Sequence, residues 1–179
     1  GFVICSAMGW GISCLVHRLL RRSGPRRNYG NAVGVVMVLL IWYVLFYGSF
    51  VGFDKLTVRQ VEYASEELPE AFDGYRIVHF SDAHVGTYGT ERQHLLRRNI
   101  DSIMAQRPDM IVFTGDLQNM QPGEVTPHEA LLASLNAPDG VFSVLGNHDY
   151  AEYVKADEAT KEANCRAMVD GQRRMGWTL

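Results

Sequence analysis

No aspartate or glutamate occurs before Asp54, although the 179-residue chain carries twenty of them. The first 53 residues therefore lack the mixed charge of an ordinary soluble surface. Cysteine is scarce as well. Cys5, Cys14 and Cys165 are too few for a disulfide framework, and all three are read as unpaired. Basic residues are in deficit further on, where residues 54–179 hold twelve of them against twenty acidic ones, a formal charge of −8. That balance excludes the basic face a nucleic-acid-binding domain needs, so no nucleic-acid partner is predicted.

What the first 53 residues have instead is apolar length. Residues 1–16 are uncharged, and residues 28–53 form a second uncharged run rich in Val, Leu, Ile and aromatics. A bilayer core takes roughly 20 apolar residues as a helix, so residues 1–53 are expected to be a membrane anchor of two transmembrane helices. Trp42, Tyr43, Tyr47 and Phe50 cluster towards the far end of the second run, as side chains do where a helix meets the interface. Arg18, Arg21, Arg22, Arg26 and Arg27 fill the connection, which Gly24-Pro25 breaks. Positive charge in a short loop marks the cytoplasmic side and places the chain after Phe53 on the extracytoplasmic side. Arg26-Arg27 has some likeness to a twin-arginine export signal, but an apolar run already precedes it and no small-residue cleavage site follows.

From Asp54 onward the apolar periodicity alternates. Strands are expected over 55–63, 76–80, 110–113 and 141–145, and helices over 91–106, around Ala130 to Leu135, and over 158–175. Residues 65–74, acidic and holding Pro69, read as a loop leading into the second strand. Short apolar strands alternating with helices predict an α/β layered fold with a parallel sheet covered on both faces. The chain begins at Gly1 rather than Met, and its last helix runs on into a further segment; residues 54–179 are expected to be the N-terminal portion of a domain continuing past Leu179.

Polar motifs sit where three of these strands end. Asp82-Ala83-His84 follows the second, Gly115-Asp116 the third and Gly146-Asn147-His148-Asp149 the fourth. In parallel α/β sheets, ligands gather beyond the carboxyl ends of the strands. Taken singly, Asp-x-His is more often a structural hydrogen bond and Gly-Asp a routine turn. Together they offer carboxylate, imidazole and amide ligands, a set that suits Mn, Fe or Zn better than an all-oxygen calcium site. His148 is available for proton transfer, with Asp149 placed to fix its tautomer and raise its basicity. The remaining histidines have plainer readings: His94 on the surface, His128 as a cap or surface group, His79 in the core and His17 beside the arginine loop. Tyr88 and Tyr150 flank the motifs and are read as packing residues.

Asp-x-His, Gly-Asp and Gly-Asn-His-Asp, each ending a strand in this order, resemble the calcineurin-like metallophosphoesterase superfamily over residues 75–150, in particular its membrane-anchored bacterial type. The resemblance implies an α/β/β/α sandwich and a site for two divalent ions. It implies that Asp82 and His84 bind the first, Asp116 bridges both and Asn147 binds the second. His148 would act beside them as proton donor or stabiliser of phosphoryl charge, held by Asp149. The implied activity is hydrolysis of phosphomonoesters, phosphodiesters or a pyrophosphate bond by water activated between two metals, a lipid-linked substrate being compatible with the anchor. Leu117-Gln118-Asn119 departs from the family, which commonly carries a further carboxylate there, and no histidine follows His148 to complete the ligand set. The alternative from another class is a non-catalytic, membrane-anchored binding or sensing module of the same fold.

Overall fold

The computed structural model describes residues 2–20 and 30–179, and the chain divides into two units, Gly1–Thr57 and Val58–Leu179. Arg21, Arg22, Arg26, Arg27 and the Gly24-Pro25 break lie outside the described residues, so the arginine loop remains an observation about sequence.

In the first unit, helix α1 (Phe2–Leu19) lies alongside helix α2 (Gly30–Phe46), which continues as a π-helical turn over Tyr47–Gly52. Small and polar side chains make the contact: Ser6 Oγ donates to Asn31 Oδ1 at 3.3 Å, and Gly34 comes so close to Ser6 that a Cβ would sit 2.6 Å from its Oγ. Close backbone approach at small residues is how apolar helices associate where burial from water supplies no drive. Of the two expected spans the structure supports one. Among the described residues only Asn31–Gly52 is long and apolar enough to cross a membrane.

In the second unit, β1 (Ile77–Phe80), β2 (Met110–Phe113) and β3 (Val141–Ser143) form a parallel sheet in that order. Helix α3 (Gln93–Ala105) connects β1 to β2, the single-turn α4 (Glu129–Leu132) precedes β3, and α5 (Glu158–Arg174) follows it. The register aligns Val78, Ile111 and Val141 on one face, with Phe80, Phe113 and Ser143 in the next row. Against these pack Leu96 and Ile100 of α3, Leu131 and Leu132 of α4, Met168 of α5 and Trp177 after it. Trp177 lies against Phe113 with ring centroids 5.5 Å apart, and Thr178 extends the sheet by pairing in parallel with Phe142. Each such fully buried side chain contributes about 1.5–3 kcal/mol.

Four expectations are corrected here. The sheet is covered on one face only among the described residues: Ile77 is 59% exposed, Phe142 37% and Val144 56%. Strands that follow one another in spatial order, joined by right-handed crossovers, send both connections to the same side. His79 belongs to that open face and is exposed, its ring 2.7 Å from Thr114 Oγ1, so it is no core residue. His128 is buried rather than a surface cap. Residues 55–63 pair with no strand among the described residues, and Val61 and Tyr63 are largely exposed; their alternation had no neighbouring strand to act on.

Candidate metal centre

The three polar motifs follow β1, β2 and β3, and the sheet brings their loops together. Pairing continues past the strands: Thr114 N–H donates to Phe80 O, Asp82 N–H to Gly115 O at 2.9 Å, His84 N–H to Asp116 O at 3.1 Å and Val85 N–H to Leu117 O. This ladder is not a regular strand. Asp82, His84 and Asp116 have φ of 52°, 40° and 64°, and Ala151, just beyond the third motif, has 58°. Left-handed backbone at non-glycine residues costs about 1–3 kcal/mol each and gathers at functional sites when the surroundings hold it. Here the cross-loop hydrogen bonds do so.

The second and third loops touch at their glycines. Gly115, at φ 99°, faces Gly146 so closely that a Cβ would sit 2.7 Å from Gly146 Cα. A Cβ on Gly146 would meet Asp116, 2.5 Å from its backbone nitrogen. Only glycine at both positions lets Asp116 and the His148 loop approach, which explains the Gly that opens the second and third motifs.

His84, Asp116 and His148 each present a ligand atom within 4.8 Å of the other two. The two imidazoles meet edge to face, centroids 4.6 Å apart. Each ring lies with Nδ1 against a backbone carbonyl, His84 on Gln118 O at 3.2 Å and His148 on Asn119 O at 2.6 Å. With Nδ1–H donated in this way, Nε2 of each is the nitrogen left for a cation or for proton transfer. Asp116 Oδ1 accepts from His148 N–H at 2.9 Å, tying the second loop to the third. These residues fit a divalent ion by donor type and by spacing.

Asp82 accepts from the adjacent Ser81 hydroxyl, and Asn147, exposed at the loop surface, donates Nδ2 to Tyr153 Oη at 2.8 Å. Neither belongs to the close trio.

Asp149 has a different position from the one expected. Fully buried, it accepts four backbone N–H groups: Asp116 at 2.9 Å, Leu117 at 3.0 Å, Gln118 at 3.3 Å and Gly146 at 3.1 Å. The His148 ring is held by Asn119 O instead, so Asp149 does not set its tautomer. Burial pushes the Asp149 carboxyl above the ordinary carboxylate range, against the opposing pull of those donors. Its role is to close the second and third loops on one another. It also faces α5, where burial above all, and then the charge of Asp149, raise the Cys165 thiol.

Sequence reasoning passed over residues 117–119, noting them only as lacking a carboxylate. They supply the carbonyls that orient both histidines, and the buried Gln118 side chain donates Nε2 to His148 O at 2.8 Å. A carbonyl leaves no trace in residue identity, so no sequence signal marked these positions. Tyr153 was also missed; its ring lies 4.6 Å from that of His148. Tyr88 is a packing residue against the core, as expected, whereas Tyr150 is 51% exposed.

Residues 75–173 match the family model for calcineurin-like phosphoesterases. Relatives include the metallophosphoesterase YkuE of Bacillus subtilis, 44% identical over 92 residues, which is 50% of this chain and 31% of that protein. The UDP-2,3-diacylglucosamine pyrophosphatase LpxG of Chlamydia muridarum is 40% identical over 94 residues, 50% of this chain and 28% of LpxG. A transmembrane protein with a metallophosphoesterase domain from Danio rerio is 33% identical over 123 residues, 68% of this chain and 28% of that protein. The chain thus spans about a third of the length of the curated relatives it matches. No solved structure matches it significantly.

Proposed function

Since the chain belongs to the calcineurin-like phosphoesterase family, we propose that its three strand-end loops serve a two-metal hydrolase acting on phosphate esters or a pyrophosphate bond. The observation that carries this reading is the convergence of His84, Asp116 and His148 within 4.8 Å, with both imidazoles anchored through Nδ1. Asp82 and His84 would hold the first ion and Asn147 the second, with Asp116 shared between them. When bound, divalent ions such as Mn, Fe or Zn supply the positive charge that activates water and neutralises phosphoryl oxygens.

The chain's own residues do the rest. Asp116 is fixed by the His148 N–H, so its carboxylate is set in place before an ion arrives. His148 keeps its Nδ1–H on Asn119 O whether neutral or protonated, so the ring can carry a proton on Nε2 and deliver it to the departing oxygen without reorienting. The edge-to-face approach of His84 braces one side of that ring. The same distances admit a second reading in which His148 is itself a ligand. His148→Asn separates them: Mn²⁺ binding survives and turnover falls if His148 is the acid, whereas both fall if it is a ligand.

A lipid-linked pyrophosphate is the substrate class we favour, because LpxG resembles half of this chain and an apolar helix over Asn31–Gly52 precedes the domain. In this reading residues 1–53 anchor the protein and residues 54–179 carry the catalytic loops on the extracytoplasmic side. A periplasmic reporter fused after Phe53 is expected to be active, and one active only in the cytoplasm reverses the orientation. The function itself is tested with Asp116→Ala in the full-length protein. Manganese-dependent hydrolysis of an aryl phosphodiester is expected to fall at least 100-fold, and a variant as active as wild type rules out the bridging role.

A further inference from the structure

We propose that Tyr153 is a positioning residue of this site, holding Asn147 in the orientation that turns its carbonyl oxygen to a cation and buttressing the His148 ring. The inference rests on the metal-dependent reading above and extends it to a residue outside the three motifs.

Chain geometry brings Tyr153 back over the motif. Tyr150 N–H donates to Gly146 O, Ala151 N–H to His148 O, Glu152 N–H to Asn147 O and Val154 N–H to Ala151 O, winding residues 146–154 into a tight run of turns. Ala151 is buried and sits at φ 58°, a left-handed conformation an alanine takes only when the surrounding contacts impose it. The reversal delivers the Tyr153 hydroxyl to Asn147 Nδ2 at 2.8 Å and its ring to His148, centroids 4.6 Å apart and planes 41° apart.

Both contacts bear on chemistry. An exposed carboxamide can present either end, and only the oxygen ligates a metal. With the phenol oxygen accepting from Nδ2, Oδ1 is the group left for a cation, and the contact polarises the amide so that Oδ1 gains negative charge. The ring contact limits His148 on one side while His84 limits it on another, the imidazole standing between two aromatic neighbours. Tyr153 itself is 56% exposed, so packing into the core does not account for its position.

Two variants separate the contacts, measured in the full-length protein. Tyr153→Phe removes the hydroxyl and keeps the ring. Free-Mn²⁺ electron paramagnetic resonance titration is expected to show the weaker Mn²⁺ site loosened about 10-fold, at the lower end of what losing an outer hydrogen-bond partner of a metal ligand does. Tyr153→Ala removes both, and adds to that loosening a lower kcat at saturating Mn²⁺ than Tyr153→Phe shows, with KM for the aryl phosphodiester moved less than kcat. A Tyr153→Phe protein that binds Mn²⁺ like wild type overturns the inference and leaves the metal centre standing. A wild type that binds no Mn²⁺ overturns both.

Discussion

Replacing Asp149 tests whether the carboxylate is a structural clasp or a partner of His148. Of its four N–H donors, those of Leu117 and Gln118 are buried and those of Asp116 and Gly146 are partly accessible. In Asp149→Ala the accessible pair can turn to water, while the buried pair is stranded. A buried donor left unsatisfied costs about 1–3 kcal/mol, which sets the expected loss at about 2–6 kcal/mol. Against a domain stability of about 5–15 kcal/mol that is a large fraction. Asp149→Asn keeps one acceptor oxygen and turns an NH₂ towards the other donors, so it lies between wild type and alanine. Urea denaturation followed by circular dichroism gives the stability, and the pH dependence of kcat gives the proton-transfer group. We expect both variants to lower the unfolding midpoint, with the alkaline limb of the pH profile, where the proton donor is lost, in place for Asp149→Asn. A variant within about 0.5 kcal/mol of wild type, the range of a surface change, whose pH profile moves by a unit would return Asp149 to tuning His148.

The other predictions follow from particular contacts. Gly146→Ala places a Cβ against Asp116 and must push the second and third loops apart; we expect Mn²⁺-dependent turnover to fall about 100-fold, as for an ångström-scale misplacement, checked by kcat at saturating metal. His128 is buried and its pKa is lowered by that burial, so the folded state favours the neutral ring. The stability this gives is present above the unfolded value of about 6.5 and is lost as pH falls through the folded value; melting temperatures from pH 8 to 5 should decline more steeply for wild type than for His128→Phe. Asp157 caps α5 by accepting from Thr160 N–H at 2.8 Å, and its carboxyl is held below the ordinary range first by the Thr160 side chain and then by that N–H. Asp157→Ala should speed amide exchange in the first turn of α5, and unchanged exchange there would show the cap to be idle.

The elements that sequence pattern made legible are those whose apolar residues meet a partner within the chain. The runs at Val78, Ile111 and Val141 found one another and α3, α4 and α5, and the polar breaks after them fell where parallel strands place ligands. Residues 55–63 carry a strand-like pattern too, but pairing depends on a neighbour that periodicity cannot reveal. His79 and Val78 are adjacent in one strand yet face opposite sides, and a short apolar run hides which side is open. At the site, residue types pointed to Asp82, His84, Asp116, Asn147, His148 and Asp149. What they could not show was that main-chain carbonyls of Gln118 and Asn119 orient the histidines, or that Asp149 is spent on main-chain donors.

The most direct test of the metal centre is anomalous diffraction from crystals of the full-length protein grown with Mn²⁺. A Mn²⁺ peak bounded by His84 and Asp116, with His148 Nε2 beside it, is the result predicted. Full Mn²⁺ occupancy elsewhere in the protein, with no peak among these loops, would contradict it.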